Sequence, residues 1–268
     1  MREFSLMQGE AGVWYGAFPT LLAAGVRHGF SARMGGCSDS QYASLNLALH
    51  VDDVNERVLE NRRRFAVSLQ MDAAALVAVN QIHGDRVLVA AQDDAGKGAF
   101  SQAAVLGDAD ALITDAAELP LAMFFADCVP LLLYDPLCKV LGLAHAGWKG
   151  TAQEIGRRTL KRMQETYGTK PEDCWLAIGP SIHPCCYQVG AAVAQQFPAA
   201  CATRQNESEW QLDLQLANRL QAIAGGVRPD RIMESGVCTC CNRETFFSYR
   251  GDNGRTGRMA LFASLQEV

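Results

Sequence analysis

Short runs in which almost every position is apolar alternate along this chain with longer stretches that mix charge with periodic apolar residues. Asn55 to Leu69 is charged and periodic, which predicts a helix. Thr151 to Tyr167 predicts a longer one, with Thr151 as N-cap, Glu154 in the capping-box position and Gly168 as the C-terminal stop. Two more helices are expected over Ala191 to Phe197 and over Leu212 to Ala224, the second closed by Gly225-Gly226. Between the helices lie strand-like runs: Leu76 to Gln81, Arg86 to Ala91, Ala111 to Thr114, Leu121 to Ala126, Pro130 to Tyr134, Val140 to Ala144, Trp175 to Ile178, Phe246 to Tyr249 and Met259 to Ala263. Val26 to Ala32 has the same character and runs into the turn Arg33-Met34-Gly35-Gly36. Several runs are apolar throughout, the pattern of central strands covered on both faces. The expected class is α/β, with helices flanking mixed sheets. Too many strands follow one another directly for a repeating βαβ chain.

Composition narrows the partners. The 268 residues are 49% hydrophobic and 20% charged, enough for a large core and consistent with one large domain or two intimately joined halves. The net charge of −5 is evenly spread, and Arg62-Arg63-Arg64 is the longest basic run, so no nucleic-acid or anionic-membrane surface is expected. Met1 to Glu10 lacks the basic-then-apolar order of a secretory signal. The apolar run from Leu119 to Tyr134 is interrupted by Asp127 and Pro130 and falls short of the ~20 residues of a spanning helix. A cytoplasmic protein is expected, a monomer or small homo-oligomer, with its ten cysteines reduced.

Three residues stand where an apolar run stops and small or turn-forming residues begin: His83 in Asn-Gln-Ile-His-Gly-Asp, Cys128 in Ala-Asp-Cys-Val-Pro and His145 in Leu-Ala-His-Ala-Gly-Trp. Two imidazoles and a thiolate make a three-point ligand set for zinc with its fourth position open, as in catalytic zinc sites. The same atoms also fit a cysteine nucleophile with a histidine base. A shared site is one reading of these placements. A structural histidine at a strand end and a core cysteine are the other. His183 and Cys185, in Ile178-Gly179-Pro180-Ser181-Ile182-His183-Pro184-Cys185-Cys186, either extend the site or belong to a turn held by the two prolines, and the turn is the preferred reading. Cys238-Thr239-Cys240-Cys241 contains one Cys-x-x-Cys pair, and one pair without a second does not specify a zinc site. Asn46, and Asn61-Arg62 on the first expected helix, are polar among apolar neighbours and are candidate anion or hydroxyl binders, with capping or solvated roles as the alternative.

Longer motifs carry a resemblance. His28-Gly29-Phe30-Ser31, Ser44-Leu45-Asn46-Leu47, Glu60-Asn61-Arg62, Asn80-Gln81-Ile82-His83-Gly84, Asp108-Ala109-Asp110-Ala111, Ala126-Asp127-Cys128-Val129-Pro130, His145-Ala146-Gly147-Trp148, Ile178-Gly179-Pro180, Phe247-Ser248-Tyr249-Arg250 and Thr256-Gly257-Arg258-Met259 occur in this order. They resemble the YfiH-like family, also called the laccase-domain or multicopper polyphenol oxidoreductase family, understood as zinc-dependent purine nucleoside phosphorylases. The resemblance implies a single αββα-type layered domain similar to the cytotoxic-necrotising-factor-like cysteine hydrolases. It implies one zinc on His83, Cys128 and His145. It also implies phosphorolysis of adenosine, inosine and S-methyl-5'-thioadenosine, with adenosine deaminase activity beside it, so that the partners are a purine nucleoside and phosphate. Lys149 and Gly251 depart from residues common in the family, and Cys240-Cys241 are local additions.

Within that chemistry Cys128 and His145 are the expected catalytic centre, and Asp127 a general acid or a group orienting a metal-bound imidazole. Arg62 is the first candidate for phosphate, because a guanidinium matches it bidentately, and Asn46 and Gln81 are further substrate-binding candidates. The alternatives are a cysteine-nucleophile amidase editing peptidoglycan precursors and a laccase-like polyphenol oxidase using copper. Two histidines and a cysteine imitate a blue-copper centre. With five histidines in the chain, only His28, His50 and His183 would remain for a three-copper cluster, which is too few.

Overall fold

A computed structural model describes residues 4–267 of the chain. The first third holds β1 (Ser5–Gln8), β2 (Trp14–Ala17), α1 (Pro19–Ala23), β3 (Val26–Ser31), α2 (Asn55–Ser68), β4 (Val77–Ala78) and β5 (Val87–Val89). The middle holds β6 (Ala111–Thr114), β7 (Leu121–Phe125), β8 (Val129–Asp135), β9 (Val140–Ala146), α3 (Trp148–Ala152), α4 (Ile155–Tyr167) and β10 (Trp175–Ile178). The remainder holds β11 (Gln188–Gly190), α5 (Ala191–Ala194), β12 (Ala202–Arg204), β13 (Glu209–Leu212), α6 (Leu214–Ala224), β14 (Ile232–Glu234) and β15 (Met259–Leu265).

Two six-stranded sheets run in the orders β1-β2-β3-β15-β7-β4 and β14-β10-β8-β9-β6-β5, and β11-β13-β12 make a small third one. Both large sheets are mixed: β4–β7, β5–β6 and β10–β14 pair in parallel, their other pairs antiparallel. The class is therefore mixed α/β, as the apolar pattern implies.

Alternation of side chains across each strand decides how the layers stack. In β7, Leu121, Met123 and Phe125 point towards the second sheet and meet Leu112, Leu132, Leu141 and Leu143 in one buried cluster. Ala122 and Phe124 point the other way, where Phe65 and Ala66 of α2 cover them. On the far side of the second sheet, Leu131, Leu133 and Ala144 lie under Leu160 and Met163 of α4 and Leu214 and Ala217 of α6. The layers are thus helix, sheet, sheet, helix. Each leucine buried this way contributes about 1.5–3 kcal/mol, so the sandwich interior is the main source of stability. Among the described residues no helix is long and apolar enough to cross a membrane.

Several elements differ from the sequence pattern. The expected helix from Thr151 to Tyr167 is two: α3 starts at Gly147 as N-cap, and α4 follows a break at Glu154, whose φ of 61° is left-handed. The Thr151 hydroxyl donates to the Ala146 carbonyl instead of capping. Gly168 does end α4, with φ 74°. Helix Ala191–Ala194 stops short of Phe197 because Pro198 disfavours helical backbone at the residue before it. Phe246 to Tyr249 is not a strand. Phe246 and Phe247 are apolar because they anchor a loop in a small cluster with Ala32 and Met259. The run from Leu76 to Gln81 is strand only over Val77–Ala78. Strands β1, β2 and β11 to β14 have too little apolar periodicity to be legible.

Candidate metal centre

The register of the β8–β9 hairpin brings two of the three marked residues together. Pro130 pairs with His145 and Val129 with Ala146. His145 continues the inward face of Leu141 and Leu143, and Cys128, just before β8, has the same parity as the inward Leu132. Both side chains therefore face the space between the sheets, at its open end. Beyond them Gly147 passes so close that a Cβ there would sit 2.9 Å from Cys128 Sγ and 3.4 Å from the His83 ring. A side chain at this position would occupy the site.

His83 arrives from the other sheet, on the loop after β4. Its backbone is left-handed (φ 59°), and so is that of Asp127 (φ 80°). Both are uncommon conformations for these residue types and are held by specific partners. For His83 the partner is Asp110, which is fully buried. Its Oδ1 accepts the His83 N–H at 3.0 Å, and its Oδ2 accepts those of Ile82 and Gly84 at 3.2 and 2.7 Å. The same Oδ1 lies 2.9 Å from His145 Nδ1. That bond fixes the imidazole tautomer, with Nδ1–H donating to the carboxylate and Nε2 left for the site. One carboxylate therefore positions both histidines. The ligand atoms of His83, Cys128 and His145 all lie within 4.8 Å of one another.

Their electrostatics are coupled. Burial opposes ionisation of Cys128, but the charge of His145 and hydrogen bonds from His145 and His83 outweigh it and bring the thiol down to about 6. Burial also opposes protonation of His145, but the Cys128 thiolate and Asp110 raise it to about 9. Without a metal, the pair is a thiolate beside an imidazolium at neutral pH. Burial likewise disfavours the Asp110 anion, yet the bonds from His145 and the backbone hold its carboxyl below the usual range.

The three donors form the floor of a cavity of about 590 Å³. Its walls include the rings of Phe124, Trp148, Tyr187 and Tyr249 and the guanidinium-bearing Arg250 and Arg258. His50 lines it too, and burial, then the cations Arg258 and Arg62, lower its imidazole to about 4, so it is neutral.

The structure does not bring Arg62 or Asn46 to this cavity. Arg62 is buried, with Nε on the Leu47 carbonyl at 2.7 Å and Nη1 on those of Gly98 and Ala99 at 2.7 and 2.9 Å. Its guanidinium also lies 4.7 Å from the centre of the Phe124 ring, behind the wall. The phosphate role expected of Arg62 is corrected accordingly: it does not line the cavity, and its Nε and Nη1 are spent on backbone carbonyls. Asn46 is buried as well, and its Oδ1 accepts the backbone N–H of Arg258 at 2.9 Å, so it supports a wall residue. Gln81 does line the cavity, but its amide bonds both to and from the Phe124 backbone, at 2.9 and 2.8 Å. Asp127 lines it too, with Oδ1 accepting from the Thr239 hydroxyl at 2.6 Å and Oδ2 from the Arg250 N–H at 2.7 Å. These bonds make Asp127 a tie between the loops that carry Thr239 and Arg250. Cys185 joins a separate group with Cys186, Cys238 and Cys241.

Sequence reasoning missed Asp110, His50, Tyr187 and Arg258 as site residues. Asp110 and Arg258 stand inside the quoted motifs, so reading every polar motif position as a site candidate would have found them. His50 and Tyr187 carry no local signal.

Residues 27–266 match the family model described as multi-copper polyphenol oxidoreductase laccase. The chain is 39% identical over 246 residues to purine nucleoside phosphorylase YlmD of Bacillus subtilis, covering 90% of this chain and 88% of that one. It is 41% identical over 237 residues to a purine nucleoside phosphorylase of Deinococcus radiodurans, covering 87% of each. Among solved structures it superposes on YlmD from Geobacillus stearothermophilus with a TM-score of 0.94 and 36% identity, covering all of both chains. It superposes on the Bacillus licheniformis hypothetical protein YfiH with a TM-score of 0.94 and 35% identity, over 99% of this chain and 100% of that one. The match of motifs, length and fold makes the chain a member of the YfiH-like, laccase-domain family.

Proposed function

We propose that the chain is a zinc-dependent purine nucleoside phosphorylase acting on adenosine, inosine and S-methyl-5'-thioadenosine, with adenosine deamination as a side activity, and that residues 1–268 work as one domain. The observation that carries this reading is the convergence of His83, Cys128 and His145 on the floor of an aromatic-walled cavity. Relatives named purine nucleoside phosphorylase support it. The donor set fits zinc: two imidazoles and a thiolate, one imidazole turned by Asp110 to present Nε2, and three protein donors where a closed structural site has four. Zinc held by His83, Cys128 and His145 would supply a Lewis acid.

The chain's own residues supply the rest. Phe124, Trp148, Tyr187 and Tyr249 offer flat apolar faces for a purine ring. Arg258 replaces Arg62 as the residue assigned to phosphate. Its Nη1 is braced on the Thr256 and Gly257 carbonyls at 2.7 and 3.2 Å, its backbone is held by Asn46, and its guanidinium lies 5.6 Å from the Tyr249 ring centre. In phosphorolysis a phosphate oxygen bonds to the anomeric carbon as the bond to the purine nitrogen breaks, its electron pair leaving with the base. Arg258 holds the attacking anion, and the aromatic side chains hold the purine.

A second reading has a specific observation behind it. Asp110, His145 and Cys128 are in the order of a cysteine nucleophile, its base and an orienting carboxylate, which is the arrangement expected of an amidase similar to the cytotoxic-necrotising-factor-like hydrolases. His83 favours zinc over this reading, since a nucleophile needs one imidazole and this thiolate has two. The copper oxidase reading lacks donors: His28 is buried away from the cavity, with Nε2 accepting from the Phe18 N–H at 3.0 Å and Nδ1 on the Val26 carbonyl at 2.9 Å.

The test is a nucleoside panel with and without phosphate, separating free bases from deaminated nucleosides, on native, chelated and Cys128→Ala protein. Free base released only with phosphate, and lost together with zinc in the variant, is the expected result. A Cys128→Ala protein that keeps zinc and full phosphorolysis would defeat the proposal. Amide hydrolysis by metal-free protein, blocked by alkylating Cys128, would establish the second reading instead.

A further inference from the structure

We infer that the chain holds a second metal: Cys185, Cys186, Cys238 and Cys241 form a closed four-thiolate zinc site that fastens together the two loops bearing one side of the cavity. The four Sγ atoms all lie within 4.8 Å of one another, although two pairs of residues far apart in sequence supply them. Cys241 Sγ is 3.5 Å from that of Cys185 and 3.4 Å from that of Cys186, far beyond a disulfide bond of ~2.05 Å. Sulfurs at the corners of a tetrahedron with Zn–S of ~2.3 Å stand about 3.8 Å apart, so the group needs little adjustment to enclose the ion.

The local backbone suits the task. Cys238 and Cys241 have the Cys-x-x-Cys spacing whose second pair sequence alone did not locate, and Cys185-Cys186 supplies it. A parallel bridge between Ser181 and Cys238 holds the two segments side by side, and Thr239 N–H donates to the Ser181 carbonyl at 3.0 Å. Backbone N–H groups of Cys241 and His183 point at the Cys238 sulfur.

The fold has a use for such a staple. Between β14 and β15, residues 235–258 form no helix or strand, an uncommon length of chain to hold by turns alone. That loop brings Tyr249 and Arg250 to the cavity, and the segment after β10 brings Ile182 and Tyr187. With four protein donors there is no place for substrate, so the site is structural. It does not depend on the reaction assigned to the cavity.

Metal is to be counted by elemental analysis in wild-type protein, His83→Ala/His145→Ala protein and Cys238→Ser/Cys241→Ser protein, purified under reductant without chelator. Two zinc ions per chain should fall to one in either variant. Alkylation mapped by mass spectrometry covers the case in which the cysteine variant fails to fold. In the His83→Ala/His145→Ala protein the four cysteines should resist alkylation, while exposed Cys138 reacts, until a chelator removes the last zinc. A metal-free His83→Ala/His145→Ala protein would overturn the inference, as would free alkylation of the four cysteines or a disulfide among them. Zinc lost from the triad alone would count against the cavity chemistry and leave this site standing.

Discussion

The ionisation of Cys128 and His145 is a property of the pair, set by the distance between them and by Asp110 behind the imidazole. The thiolate is the form that reacts with alkylating agents. In metal-free protein, alkylation of Cys128 should therefore rise with pH through a midpoint near 6, with the protonated thiol unreactive below it. Replacing His145 by Gln should move the midpoint up towards the ordinary ~8.5 of a thiol. A midpoint that stayed put would remove the ion pair from the description. The two arginines separate structure from substrate. Arg62→Ala strips three carbonyls of their charged donor and should lower stability by about 3 kcal/mol in denaturant titrations. Arg258→Ala should leave stability nearer wild type and raise the KM for phosphate by roughly 10- to 100-fold. The reverse pattern would return the phosphate role to Arg62.

At the level of elements, the site depends on where β8 begins and where β9 ends. Cys128 immediately precedes β8 and His145 stands near the end of β9, and the turn into α3 begins at Gly147, against the sulfur. Gly147→Ala should lower zinc affinity by about 10-fold or more, as for other changes that misplace a ligand, with the unfolding midpoint little moved. Competition with a chromophoric chelator measures the first quantity and urea titration the second. Unchanged affinity would show that the close approach is incidental. The split of the expected Thr151–Tyr167 helix belongs to this scale. Thr151, Glu154 and Gly168 satisfy the sequence rules for one helix, but Glu154 takes a left-handed conformation and α4 sets off afresh from Ile155. Capping rules see neighbours along the chain and cannot see that α3 must turn over the mouth of the sandwich.

Across the whole molecule, the candidate metal centre lies where the two large sheets open. His83 follows β4 of the first sheet, Cys128 sits in the crossing from β7 to β8, and His145 ends β9 of the second. An ion there would clamp the sheets together. If it binds the folded chain alone, zinc at about 100 times its Kd should add roughly 2.7 kcal/mol to stability. Removing zinc should lower the Tm and speed hydrogen exchange at residues 79–84, 126–129 and 145–148 before the β8–β9 core. Exchange that changed evenly over the protein would mean that the ion is not acting between the sheets.

Much of this was legible along the chain. Runs such as Leu121 to Ala126 and Val140 to Ala144 mark central strands because both their faces are buried, and His83, Cys128 and His145 mark strand ends because apolar alternation stops beside them. Such signals depend on the nearest few residues, so the sequence by itself determined the α/β class, most of the core strands and the identity of the candidate donors. Tertiary structure decided what only distant partners define. Arg62 and Asn46 looked like binders because they are polar among apolar neighbours. Folding uses them to brace Phe124 and Arg258 from behind. The double role of Asp110 and the joining of Cys185-Cys186 to Cys238 and Cys241 could not be read locally for the complementary reason: a carboxylate serving two histidines, or four sulfurs around one point, exists only once segments far apart in sequence are folded side by side.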